Sequence, residues 1–150
     1  MSWKTDPAQP CTDQAQLEPI TRTNVQRLVR DAAKKGIRVL VYETVRTRAR
    51  QRHLYGSGRS RRGPILTKTL DSCHLYREAV DVVVLDRAGR ADWSQAAYRR
   101  LFAACPPRNY GLELLSWERP HLQRAGANGP GQNVTAAVQA KKWGLRVAYP

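Results

Sequence analysis

One run constrains the fold of this chain more than any other: Ala79-Val80-Asp81-Val82-Val83-Val84-Leu85. Its apolar character is almost continuous and mostly β-branched, which reads as a strand buried on both faces. Such a strand needs other elements packed against it, so it must lie inside a sheet. Asp81 is then the anomaly. A buried carboxylate is costly unless it is paired or holds a metal ion. The run that organises the fold therefore also points to a site.

The flanking segments supply the rest. Residues 1–20 read as an irregular lead-in with Pro7, Pro10 and Pro19 as breakers. Thr23 or Asn24 can cap a helix whose apolar positions are Val25, Leu28, Val29, Ala32 and Ala33, with Gly36 as its stop. Ile37–Tyr42 reads as a strand and Arg48–Tyr55 as a short helix ended by Gly56-Ser57-Gly58. Residues 59–71 read as an exposed loop that turns at Gly63-Pro64. Asp92 can cap a helix through Ala104 with Trp93, Ala96, Ala97 and Leu101 on one face, and Pro106-Pro107 ends it. Leu112–Trp117 is a short strand, Val134–Trp143 a last helix closed by Gly144, and Leu145–Ala148 a final edge strand. Helices and strands mix without βαβ repetition, so the class is α+β. A length of 150 residues suits a single domain, 1–150, with a basic helix and tail over 124–150.

Charge narrows the partners. Lys and Arg number 26 against 12 Asp and Glu, a net charge of +14. Seven arginines and no acid fall between Arg46 and Arg62, and no acid follows Glu118. Such a surface attracts polyanions: nucleic acid, anionic lipid or acidic cell-wall polymer. No stretch approaches 18 consecutive apolar residues, which excludes a transmembrane helix. The polar start, Met1–Gln16, lacks the apolar run of a signal peptide, so the expectation is a protein held in the cytoplasm until something else releases it. Cys11, Cys73 and Cys105 are odd in number and widely spaced, so reduced thiols are expected.

Two of the three histidines keep informative company. His74 stands seven residues before Asp81, and Glu118 stands three before His121. Two histidines and a carboxylate are a common catalytic zinc set with a fourth position open. Such a site needs a nearby carboxylate as general base, and Glu118 is the candidate. The plainer reading pairs Asp81 with one of the many arginines and leaves the histidines as packed side chains.

The motifs are more specific together than apart. Ser72-Cys73-His74 through Asp81 resembles the Ser-x-His-(x)6-Asp motif of the D-Ala-D-Ala carboxypeptidase and dipeptidase family of zinc peptidases. Glu118-x-Pro120-His121 resembles that family's second motif, and Val45-Arg46-Thr47-Arg48-Ala49-Arg50-Gln51 its Tyr-Arg-Thr-x-x-x-Gln segment. Leu54-Tyr55, Gly58-Arg59-Ser60, Gly63, Thr67 and Gly111-Leu112-Glu113 before Trp117 are similar to runs of the phage L-alanyl-D-glutamate endopeptidases. The resemblance implies one zinc ion held by His74, Asp81 and His121, Glu118 as base, and Arg46 at the carbonyl oxygen of the transition state. It implies substrate contacts from Ser72, Gln51 and Arg59, and an antiparallel sheet with surrounding helices and zinc in a cleft at the sheet. Three departures stand out: Arg77 replaces a usual glycine, Leu114-Leu115-Ser116 replaces a Trp-Gly-Gly region, and Cys73 beside His74 reads only as packing.

The function implied is a zinc-dependent peptidoglycan peptidase of the phage endolysin type, cutting the L-Ala–D-Glu bond of the stem peptide. It would act as a monomer, with anionic envelope polymers or lipopolysaccharide held at the basic surface. A D-Ala-D-Ala carboxypeptidase is the alternative within the family. A non-enzymatic nucleic-acid-binding module is the alternative outside it, although no DNA or RNA recognition motif is present.

Overall fold

The run at 79–85 is the second strand, β2 (Ala79–Leu85), of a five-stranded antiparallel sheet. The computed structural model describes residues 2–115, 118–126, 136, 140–141 and 143–150, with the backbone alone for 118 and 119. On one side β2 pairs with β1 (Arg38–Glu43). On the other it pairs first with β5 (Glu118–Arg124), through Asp81↔His121, and further along with the two-residue β3 (Ala91–Asp92). β4 (Leu112–Leu115) closes the far edge against β5, giving the order β1-β2-β5-β4.

Strand alternation splits the sheet into two faces. Val80, Val82 and Val84 join Val41, Leu112 and Leu122 on one face. Against them pack Val25, Leu28 and Ala32 of α1 (Pro19–Lys34) and Ala97, Tyr98 and Leu101 of α3 (Gln95–Ala104). Burying a side chain of this size is worth about 1.5–3 kcal/mol each, so this layer is the main core. The Tyr98 hydroxyl also donates to the Val82 carbonyl at 2.7 Å. The other face carries Asp81 and His121, which are paired across the sheet. α2 (Arg48–Gly56) follows β1, capped by the Thr47 hydroxyl, which accepts from the Arg50 N–H at 3.0 Å.

The α+β class, the antiparallel sheet and the strand at 79–85 are as expected. Several boundaries differ. α1 starts at Pro19, not at Thr23 or Asn24: proline at the first helical position gives up an N–H that has no helical partner there. The lead-in contains a 3-10 turn at Gln14–Gln16, with Asp13 as its cap. α3 is capped by Ser94, so Trp93 lies before the helix. Leu145–Ala148 forms no strand. The strand over 118–124 is not among those expected from the sequence, and Pro120 within it lacks the N–H that a ladder needs. The sheet tolerates it beyond the three β2 pairs, at a bulge on the β4 side. The last helix, Val134–Trp143, and the end of Leu112–Trp117 fall largely outside the described residues.

Candidate metal centre

His74 sits in a 3-10 turn, Cys73–Tyr76, immediately before β2. The Ser72 hydroxyl caps this turn by accepting from the His74 N–H at 3.3 Å. The turn ends at Arg77 in the left-handed conformation, φ 63°, the one non-glycine residue with positive φ among those described. This accounts for the usual glycine at that position, since an L side chain is disfavoured there. The Arg77 guanidinium holds its neighbours instead, donating to the Gln16 carbonyl at 3.3 Å and the Tyr149 hydroxyl at 3.4 Å. Cys73 is buried in the same turn, not on a strand, and burial pushes its thiol up to about 12. It is chemically quiet there.

His74, Asp81 and His121 converge. One ligand atom from each lies within 4.8 Å of the others, and all three residues are buried. His74 Nδ1 is 2.5 Å from the Thr44 carbonyl and its Nε2 is 3.2 Å from Asp81 Oδ1. A carbonyl only accepts, so Nδ1 carries the proton and donates it to the Thr44 carbonyl, and Nε2 offers its lone pair inward. His121 repeats the arrangement. Its Nε2 is 2.9 Å from Gln123 Oε1, and its Nδ1 faces Asp81 Oδ1 at 3.6 Å. Gln123 Nε2 donates to Glu113 Oε1 at 2.9 Å, which fixes the amide so that its oxygen meets His121. Metal-binding histidines are held in this way, their outer nitrogens anchored by hydrogen bonds and their inner nitrogens aimed at one point. The donors suit zinc.

Electrostatics sharpens this. Burial disfavours the charged form of His74, and the Arg46 cation adds to it, so its pKa lies below the ordinary value. The ring is neutral at neutral pH, as a ligand must be. Burial would raise the Asp81 carboxyl, but in acid, where the histidines are protonated, His74, Arg46 and hydrogen bonds from both imidazoliums outweigh it and hold the group well below the usual range. A histidine pKa lowered by folding means that the unfolded chain binds the proton more tightly. Stability contributed by His74 is therefore present above about pH 6.5 and is lost as pH falls below it. Metal-free protein is expected to melt at a lower temperature at pH 5.5 than at pH 7.5. A flat profile in calorimetric scans across that range would contradict the buried neutral ring.

Arg46 lies in the loop between β1 and α2, its N–H bonded to the His74 carbonyl at 3.0 Å. Its Nη2 donates to Asp81 Oδ2 at 2.8 Å and Nη1 to Gln51 Oε1 at 3.1 Å. Glu43 stands behind it, with Oε1 3.2 Å from Arg46 Nε and 2.8 Å from Arg50 Nε. Gln51 is fully buried and also donates to the Thr69 carbonyl at 2.8 Å, so its visible work is to seat Arg46. Ser72 likewise shapes the turn under His74. Arg59 is exposed, stacked 3.7 Å over the Tyr55 ring and bonded to the Tyr55 and Thr67 carbonyls, so its contacts brace its own loop. Glu118 opens β5 opposite Leu115, and its side chain lies outside those described. Sequence reasoning missed Glu43, Thr44 and Gln123, and met Glu113 only inside the Gly111-Leu112-Glu113 run. Gln123 stands two residues after His121, a same-face spacing that counts only once 118–124 is known to be a strand.

The fold and cluster together define a class, a small α+β domain with a buried His-Asp-His set able to hold a metal ion. No family model matches the chain. In sequence it is 35% identical over 79 residues to the peptidoglycan L-alanyl-D-glutamate endopeptidase CwlK of Bacillus subtilis (strain 168). That stretch is 51% of this chain and 47% of CwlK, so the match spans about half the length of the curated relative. In structure it is similar to the Serratia marcescens L-Ala D-Glu endopeptidase ChiX, with a TM-score of 0.56 and 25% identity over 79% of this chain and 88% of that one. Both likenesses bear out the resemblance to the D-Ala-D-Ala carboxypeptidase-like zinc peptidases, on the endopeptidase side.

Proposed function

We propose that the protein is a zinc-dependent peptidoglycan endopeptidase that cleaves the L-Ala–D-Glu bond of the stem peptide, in the manner of a phage endolysin. The observation that carries the metal-peptidase reading is the convergence of two tautomer-fixed imidazoles on Asp81. The names of the two similar proteins support the choice of bond.

His74, Asp81 and His121 would hold one zinc ion. When bound, the ion supplies Lewis-acid polarisation of a carbonyl and acidifies water. The chain's own residues do the rest. Thr44 and Gln123 keep both rings in the tautomer that presents a lone pair inward. Arg46 keeps Asp81 ionised and sets a fixed positive charge beside the position where a carbonyl oxygen gains negative charge. Glu118 takes the proton from the attacking water and returns it to the leaving amine.

Arg48, Arg52, Arg59, Arg61, Arg62 and Lys68 are exposed, with no acid between Glu43 and Asp71. This surface suits anionic envelope polymers or lipopolysaccharide phosphates. No helix among the described residues is long and apolar enough to cross a membrane. We further take the working form to be a monomer held in the host cytoplasm until lysis. Binding to purified sacculi should fall steeply between 50 and 500 mM salt, because exposed charges are screened beyond about 10 Å at 0.1 M. Binding that ignores salt would remove the electrostatic role.

Digestion of sacculi with and without a zinc chelator tests the main proposal, with products read by mass spectrometry. Chelator-sensitive release of peptides with new N-terminal D-Glu is the expected result. Loss of a terminal D-Ala alone would move the protein to carboxypeptidase chemistry. Absence of chelator-sensitive cleavage would refute the enzyme.

A further inference from the structure

The sheet face that carries Asp81 continues past the cluster. The next residue of β2 on that face is Val83, about 7 Å further along the strand. Leu40 of β1 is its cross-strand partner. Val83 is fully buried, yet Leu40, Tyr42 and Trp93 around it are exposed by 47%, 39% and 44%. Tyr42 and Trp93 come from elements on opposite sides of β2, and their rings meet over it at 5.3 Å and 90°. The result is an exposed right-angled aromatic corner beside the candidate metal centre. Neither the Tyr42 hydroxyl nor the Trp93 indole N–H has a hydrogen-bond partner among the described residues.

We propose that Tyr42 and Trp93 form a sugar subsite that takes the amino sugar bearing the stem peptide. This rests on the endopeptidase reading above and names the part of the substrate held beyond the scissile bond. The chemistry fits in three respects. Aromatic faces carry partial negative charge, which attracts the electropositive C–H face of a pyranose ring. A ring stacked on one aromatic face meets the edge of the other, and the free hydroxyl and indole N–H can reach the sugar's polar rim. The span also fits: in an L-Ala–D-Glu cut, one residue and its linker separate the bond from the sugar, and an extended residue spans about 3.5 Å. A carboxypeptidase acting at the far end of the stem would have no use for such a corner.

Two measurements test it. The first titrates metal-free protein with an N-acetylglucosamine–N-acetylmuramic acid disaccharide while following indole N–H resonances, that of Trp93 being assigned by its loss in Trp93→Phe. The second compares kcat/KM for a disaccharide-linked stem peptide with that for the same free peptide. Stacking on two rings should give the wild type a preference of about ten-fold for the sugar-linked substrate, shared about equally between them. Trp93→Ala should bring that ratio down to about three-fold, the share left to Tyr42, Trp93→Phe should keep most of it, and Leu66→Ala, an exposed apolar change elsewhere, should keep all of it. A wild-type ratio near one, or a ratio unchanged in Trp93→Ala, overturns the subsite. So does a Trp93-dependent dimer in gel filtration with no disaccharide shift, which would make the corner a contact between copies. If neither substrate is cleaved, the endopeptidase reading falls. The indole shift then decides alone: a saturable shift upholds the sugar site and its absence ends it.

Discussion

Replacing Asp81 with asparagine should abolish zinc binding at micromolar metal, and with it the proposed peptidoglycan cleavage. Asp81 Oδ1 is the atom on which both inner imidazole nitrogens converge, and the carboxylate is the only negative charge in the ligand set. Loss of partners behind ligands already lowers metal affinity about 10–100-fold, so loss of the charged ligand should exceed a hundred-fold. The same change strips Arg46 of the carboxylate 2.8 Å from its Nη2 but leaves it Glu43. Breaking a buried pair typically costs about 3–5 kcal/mol, and the retained partner puts the expected loss at the low end of that range. Competition with a chromophoric chelator reads the affinity, and thermal melts of metal-free protein read the stability. Glu118→Gln is the companion variant. Removing a general base should lower turnover by about 10²–10⁴-fold with zinc still bound. The pair separates ligand from base, because both lose activity and only Asp81→Asn loses metal. A Glu118→Gln protein with wild-type turnover would dismiss Glu118 as the base.

What the sequence made legible follows from local physics. The run at 79–85 declares itself because burial on both faces leaves no alternation, and its lone carboxylate marks a site for the same reason. His74, Asp81 and His121 could be grouped because the motifs preserve spacing, and the sheet register places Asp81 opposite His121. β5 was hidden because Pro120 argues against a strand in any local reading, and only the bulge at β4 makes it tolerable. Glu43 and Thr44 were hidden because their importance is purely tertiary. Nothing in Val-Tyr-Glu-Thr tells that a carboxylate will meet two guanidiniums, or that a backbone carbonyl will fix an imidazole 30 residues away. The lead-in reads as irregular, and nothing in its sequence tells what it supports. The Cys11 carbonyl accepts from the Thr44 N–H at 2.7 Å, and Pro7 and Ala8 offer carbonyls to Arg50 at 3.0 Å. The first residues thus brace the same loop that braces His74.

Glu43→Gln should be strongly destabilising, on the scale of a change in the apolar core. Glu43 is 2% exposed and lies between two buried arginines, Arg46 and Arg50. Burial would raise its carboxyl, but the Arg46 charge and the Arg50 hydrogen bond overcome that and hold it below the ordinary value. An amide of the same size keeps the packing and removes the shared counter-charge. Leaving a buried charge short of its partner costs about 3–5 kcal/mol. At about 2–4 °C per kcal/mol for a chain of this size, the melting temperature should fall by about 10 °C. The sign of the pH dependence is fixed as well. A carboxyl whose pKa is lowered by folding contributes stability above its unfolded value, near 4.5, and loses that contribution as pH falls through the folded value. The gap between wild type and Glu43→Gln should therefore be full at pH 7 and shrink on acidification below about pH 4.5. Adding Arg50→Met to Glu43→Gln should recover part of the loss, because an apolar side chain of similar length needs no counter-charge. The two changes should then be non-additive by about 0.5–3 kcal/mol. If they add without coupling, Glu43 and Arg50 do not act as a pair. The structural link from the N-terminal segment to the candidate metal centre would then run through Thr44 alone.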